Sequence, residues 1–143
     1  MLLIKMQPMN KLRYSLDTSF VVRLLTGDPV PQFRLAADFL EQCGREEAVA
    51  EVVDLVLAEA YFALQYHYGF PKDMALKSLR QFAEQPSVAV SKYALEILSL
   101  SGLSSANPGF VDLLIHGDSR ARNSQLVTFE KKSRKLEGVI VLE

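Results

Sequence analysis

Four acidic side chains stand where an acid is out of keeping with its neighbours. Asp17 follows Tyr14-Ser15-Leu16 and precedes Thr18-Ser19-Phe20, at the junction of an expected short strand and an apolar helix. Glu59 has only apolar residues three and four positions away: Leu55, Val56, Phe62 and Ala63. On a helix its carboxylate would leave from a face expected to be buried, which is costly unless a metal or hydrogen-bond partner relieves it. Asp112 lies among Phe110, Val111, Leu114 and Ile115, and Glu130 follows the strand-like Leu126-Val127-Thr128-Phe129. Carboxylates converging from such distant positions suit a hard divalent cation such as Mg2+, which takes oxygen ligands and keeps waters for substrate phosphates.

Each acid also has an ordinary structural use. Asp17 or Thr18 can N-cap the helix beginning near Ser19. Glu59 can reach water from the rim of its stripe. Asp112 and Glu130 can occupy first turns, where the helix dipole favours an acid by about 0.3–1 kcal/mol. Asp118 would point about 240° round the helix from Asp112 at 3.6 residues per turn, and reads as solvated, with an outer-shell acid as the alternative. Asp28 and Asp54 read as turn and cap residues.

The elements that must position these acids alternate. Strands are expected over 11–16, 48–53, 86–91, 126–129 and 139–142. Helices are expected over 19–25, 32–43, 55–68, 71–84, 93–100, 107–122 and 131–136. Phe33, Ala36, Ala37, Leu40 and Cys43 form a stripe at helical spacing, and Gly44 should end that helix. Asn107 should cap the 107–122 helix with Pro108 in its first turn. Such alternation implies an α/β fold with a mostly parallel sheet flanked by helices. In that architecture ligands gather outside the carboxyl ends of the strands, where Asp17 and Glu130 fall.

The chain has 143 residues, 49% hydrophobic and 23% charged, with a formal net charge of −1. That suits a single domain over 1–143 with one core, residues 1–10 forming a short lead that could be mobile. Nothing in the total charge announces a nucleic-acid partner, although a local basic patch can sit on a neutral protein. One cysteine, Cys43, cannot form an internal disulfide, and it falls on the expected buried face of its helix. That fits a reducing compartment. The apolar start Met1-Leu2-Leu3-Ile4 is too short for a signal-peptide core, and no run is long enough to span a membrane. A cytoplasmic protein is expected.

Taken together, Leu16-Asp17-Thr18-Ser19, Ala58-Glu59, Phe110-Val111-Asp112-Leu113-Leu114-Ile115 and Val127-Thr128-Phe129-Glu130 resemble the ordered motifs of a PIN domain. Length, element order and spacing are similar to the VapC-type toxins of bacterial toxin–antitoxin pairs, from about Tyr14 to the C-terminus. The resemblance implies a three-layer fold and a Mg2+- or Mn2+-dependent endoribonuclease, usually a homodimer, held inactive by a small antitoxin. It carries the metal-binding, catalytic acids onto Asp17, Glu59, Asp112 and Glu130. Glu130 stands where the family more often has Asp, and its extra methylene moves the carboxylate outward. The lead before strand one is longer than is typical, and Met6 or Met9 could serve as alternative starts. Divalent ions would activate water and stabilise charge on the attacking and leaving oxygens, while Thr18, Ser19 or Thr128 could orient the carboxylates.

Substrate contacts are less distinct. Arg120, Arg122, Lys131, Lys132, Arg134 and Lys135 could meet a phosphate backbone, but a solvated helix face explains most of them. Tyr61, Tyr66 and Tyr68 could stack a base or pack a dimer interface, with core packing the simpler expectation. His67 and His116 lack partners at metal-ligand spacing and read as structural. Ser19 excludes a haloacid-dehalogenase phosphatase, which needs a second Asp two residues after the first. Arg13, Tyr14, Ser15 and Leu16 exclude a receiver domain, which needs acids before the phosphorylated Asp. Two other readings stay open: a catalytically degenerate PIN-fold binding or scaffold module, and an RNA-processing nuclease with no toxin role.

Overall fold

The computed structural model describes residues 12–143. The 1–10 lead, the alternative starts and Lys11 lie outside them. Five short strands and six α-helices follow in order: β1 (Arg13–Ser15), α1 (Thr18–Thr26), α2 (Val30–Arg45), β2 (Val49–Glu51), α3 (Asp54–Tyr66), α4 (Lys72–Ala83), β3 (Val88–Ala89), α5 (Lys92–Leu98), α6 (Phe110–Ala121), β4 (Leu126–Thr128) and β5 (Val139–Val141). Two 3-10 turns, Leu103–Ser105 and Lys131–Lys135, lie before α6 and between β4 and β5.

The alternating α/β reading holds, and all strand pairs are parallel. β1 pairs with β2 (Tyr14 opposite Ala50) and β2 with β3 (Ala50 opposite Val88). The single central sheet does not hold. Among the described residues β4 and β5 form their own two-stranded ribbon, with Val127 opposite Ile140.

Helix ends follow local chemistry. Asp17 caps α1, accepting from the Phe20 amide, and Gly27 closes it at φ 71° with its N–H on the Arg23 carbonyl. A left-handed closing residue costs glycine little. The expected stripe of α2 is right: Ala36, Leu40 and Cys43 are buried. Gly44, however, does not end it. The helix runs on to Arg45, and the chain turns at Glu47, φ 55°. Asn107-Pro108 does not open α6, whose N-cap is Gly109, and Pro108 is buried just before it. The expected 131–136 helix is a single 3-10 turn, too short to close an α-helical ladder.

The core is built on Val21, Cys43, Leu57, Leu64, Leu79, Phe82 and Phe110, all essentially without solvent exposure. Leu57 and Leu64 come from α3, Leu79 and Phe82 from α4, and these two helices and α1 pack on one another in that core. Tyr14, Phe20 and Phe39 extend that packing with edge-on ring contacts at 5.0 and 5.8 Å. No helix among the described residues is long and apolar enough to cross a membrane.

Candidate functional site

Because β1, β2 and β3 run in the same direction, their carboxyl ends share one rim, and α1, α3 and α5 each begin there. The first residues past each strand therefore converge. Asp17 ends the β1 turn, Asp54 starts α3 after β2, and Ser91 caps α5 after β3.

Asp17 is exposed, and its Oδ1 accepts both from Ser19 Oγ at 2.7 Å and from the Phe20 amide at 3.0 Å. The Ser19 hydroxyl, then the Phe20 amide, holds the Asp17 carboxyl below the usual carboxylate range. The helix-capping use of Asp17 is thus real. The next residue, Thr18, donates from Oγ1 to Glu59 Oε1 at 2.6 Å, a tie across 41 residues.

Glu59 differs from its expected setting. It is exposed, as are Leu55 and Phe62, two of the apolar neighbours on which the buried face was argued. α3 is apolar on both sides: Val56, Leu57, Ala60, Tyr61 and Leu64 are buried, while Leu55, Phe62 and Tyr66 face solvent.

Asp112 lies in the first turn of α6, with Oδ2 at 3.8 Å from Lys132 Nζ. Glu130 is exposed at the start of the second 3-10 turn, its amide donating to Thr128 Oγ1 at 3.0 Å. Among the described residues no three His, Cys, Asp or Glu side chains are grouped so as to hold a metal ion. Within the quartet, Asp17 and Glu59 are linked indirectly: Glu59 is hydrogen-bonded to Thr18, the residue after Asp17. Two carboxylates offering only oxygen suit Mg2+, which commonly takes one or two carboxylates and completes its shell with waters and substrate phosphate.

A second polar cluster on the rim went unread in the sequence. Asp54 is the first residue of α3 rather than its cap, and its Oδ1 accepts from Ser91 Oγ at 3.0 Å while Oδ2 accepts from the Tyr93 hydroxyl. Burial, and then the hydrogen bond to Asp54, pushes the Tyr93 hydroxyl up to about 12. The readable signal was a polar residue just beyond each strand of a parallel sheet. Tyr93 itself needs a close approach, because its ring lies against Gly117 of α6: a Cβ there would sit 2.8 Å from Tyr93 Cγ. These residues line part of a cleft of about 830 Å3 between the rim and α6, walled by Val53, Leu55, Val111 and Ile115. None of Asp17, Glu59, Asp112 and Glu130 lines it; Asp17 borders a separate hollow of about 470 Å3 with Ser19, Arg23 and Gln32.

The basic cluster is largely paired. Arg122 meets Asp118 at 3.0 Å, Arg120 meets Glu137 at 3.3 Å, and Arg134 meets Glu143. His116 donates from Nε2 to the Glu137 carbonyl at 2.7 Å, a structural tie as expected. Cys43 is buried, which pushes its thiol up and leaves it structural. Tyr61 is core, edge-on to Phe110 at 5.1 Å, whereas Tyr66 is 77% exposed and contradicts the core expectation.

No protein-family model matches the sequence, and no curated protein matches it. Among solved structures, the chain is similar to a chain in the crystal structure of VapBC2 from Rickettsia felis bound to a DNA fragment from their promoter. The identity is 21% and the TM-score 0.41, covering 92% of this chain and 98% of that one.

Proposed function

We propose that this chain is a divalent-metal-dependent endoribonuclease of the PIN type that hydrolyses RNA phosphodiester bonds, and that it acts as the toxin of a type II toxin–antitoxin pair. The observation that supports this reading is the Thr18–Glu59 hydrogen bond, which ties Glu59 to the residue after Asp17, itself at the carboxyl rim of a parallel sheet. By the resemblance of the four acidic motifs, Asp112 and Glu130 would join the same site. Asp17 and Glu59 would hold Mg2+ or Mn2+, each through the carboxylate oxygen not already hydrogen-bonded. The ion, when bound, supplies an activated water and neutralises phosphate charge. The chain's own residues orient the acids: Ser19 and the Phe20 amide fix Asp17, and Thr18 fixes Glu59. A small antitoxin protein and a second copy of this chain are the proposed partners, in the cytoplasm.

The test incubates the purified chain, freed of any partner, with an RNA panel and Mn2+ or Mg2+. Asp17→Asn and Glu59→Gln chains and an EDTA control run beside it. Cleavage lost in both variants and in EDTA supports the site, and cleavage surviving both variants removes it. A second reading, a PIN-fold binding module without catalysis, is favoured by the lack of a three-acid group among the described residues. A folded chain that neither cuts RNA nor binds Mn2+ through Asp17 and Glu59 would establish that module instead. A nuclease that cuts RNA but does not arrest growth when expressed would point to RNA processing.

A further inference from the structure

Lys77 and Arg80 lie three residues apart on α4 and so share one side of it. Among the described residues neither meets an acid, whereas Arg13, Arg45, Arg120, Arg122, Lys132 and Arg134 each do. Arg80 is half-buried, and its Nε is the one buried side-chain polar atom among them without a hydrogen-bond partner. A cation drawn out of water with no counter-charge is costly, and an unsatisfied group of this kind calls for a partner. Both side chains border a pocket of about 240 Å3 between α4, the end of α5 and the first 3-10 turn. Leu76, Leu98, Leu100 and Leu103 give it an apolar wall, and Ser104 adds a hydroxyl.

We propose that this pocket binds a small aliphatic carboxylate, with its head on Arg80 and Lys77 and its hydrocarbon body against the leucines. The inference is independent of the ribonuclease reading, since none of Asp17, Glu59, Asp112 and Glu130 lines the pocket. The fork of a guanidinium matches the two oxygens of a carboxylate. Asp73 also borders the pocket and decides the charge of the ligand. Its Oδ1 accepts from the Met74 amide at 2.9 Å, in the first turn of α4, where the helix dipole favours an acid. Two cations and one acid leave one net positive charge, which matches a monoanion, whereas a phosphate dianion would meet the Asp73 carboxylate as a like charge. The volume lies below the roughly 300–1,000 Å3 of drug-sized sites, so the ligand is small.

Hexanoate is the probe, titrated into the full isotope-labelled chain at constant ionic strength and followed by amide chemical shifts. Saturable shifts centred on α4 and residues 98–105 are expected. Acetate, which lacks four methylenes, should bind at least about ten-fold more weakly. So should hexanamide, which keeps the hydrocarbon body and loses the charge. Arg80→Gln should weaken hexanoate binding at least about ten-fold, because the lost hydrogen bonds are charge-assisted. Lys77→Gln should weaken it about two- to five-fold, the span of an exposed ion pair. Lys77 is exposed, so its variant keeps the test decisive even if Arg80→Gln fails to fold. Inorganic phosphate should bind more weakly than hexanoate, and Asp73→Asn should narrow that difference. Equal binding of hexanamide and hexanoate would make the pocket a mere apolar patch and overturn the proposal. Shifts that never saturate, phosphate binding more tightly than hexanoate, or affinity unchanged in Lys77→Gln would overturn it as well.

Discussion

The Thr18 hydroxyl donates to Glu59 Oε1 over 2.6 Å, and this bond is what links the start of α1 to the middle of α3 on the solvent side. Both partners lie near the surface, so its loss should cost stability only about 0.5–1.5 kcal/mol. Its effect on a carboxylate site should be larger, because positioning partners are worth about 10- to 100-fold in activity or metal affinity. Thr18→Val should lower RNA cleavage by about that factor with little change in the denaturation midpoint, and Thr18→Ser should restore it. Equal cleavage by the valine and serine chains would deny Thr18 that role.

Asp17 gives an acid-side prediction. Its folded-state carboxyl lies below the ordinary value, chiefly through Ser19 and then the Phe20 amide. The stabilisation is therefore present above the unfolded pKa and disappears as pH falls through the folded one. Ser19→Ala should raise the Asp17 carboxyl toward the ordinary range in a carbon-detected NMR titration. Asp17→Ala should cost about 0.5–2 kcal/mol at neutral pH by removing the α1 cap.

On the alkaline side, Tyr93 behaves in the opposite sense. Its hydroxyl is raised from 10.0 to about 12, so its contribution is complete below the unfolded value and is lost as pH climbs through about 12. An absorbance titration should show a late phenolate step that Tyr93→Phe abolishes. The same change leaves Asp54 bonded to Ser91 alone and should cost about 1.5–3 kcal/mol, as for other hydrogen bonds to charged groups.

Gly117 is where space beneath Tyr93 is decided. Alanine at an ordinary helical site would gain about 1 kcal/mol over glycine. Here the added methyl meets the Tyr93 ring, and such overpacking costs about 1–3 kcal/mol. Gly117→Ala should therefore be neutral to destabilising in chemical denaturation, and should bring the late tyrosine step to lower pH. A clear gain in stability with the step unmoved would contradict this packing.

Much of the fold was legible because helices and parallel strands leave strong periodic marks: the Ala36, Leu40 and Cys43 stripe and the order of elements are as the sequence indicates. Glu59 was misjudged because apolar neighbours were equated with buried ones, whereas Leu55 and Phe62 are themselves exposed. The Asp54–Ser91–Tyr93 cluster was invisible for a different reason. It joins residues 37 and 39 apart, and only strand register brings them together. Gly44 and Asn107 misled because a local stop or cap signal yields when tertiary packing carries the helix further or starts it later.

The β4–β5 ribbon has its own ladder, no strand residue in the buried class, and ties to α6 through Glu137 and Lys132. Few buried apolar contacts mean a low opening free energy, and its amides should exchange with solvent before those of β1–β3. Glu130 rides on that segment, whereas Asp17 and Glu59 stand on the core-anchored helices α1 and α3. A site that recruits Glu130 would assemble and disassemble with the breathing of the carboxy-terminal ribbon, making its fourth acid a matter of occupancy in time rather than of fixed distance.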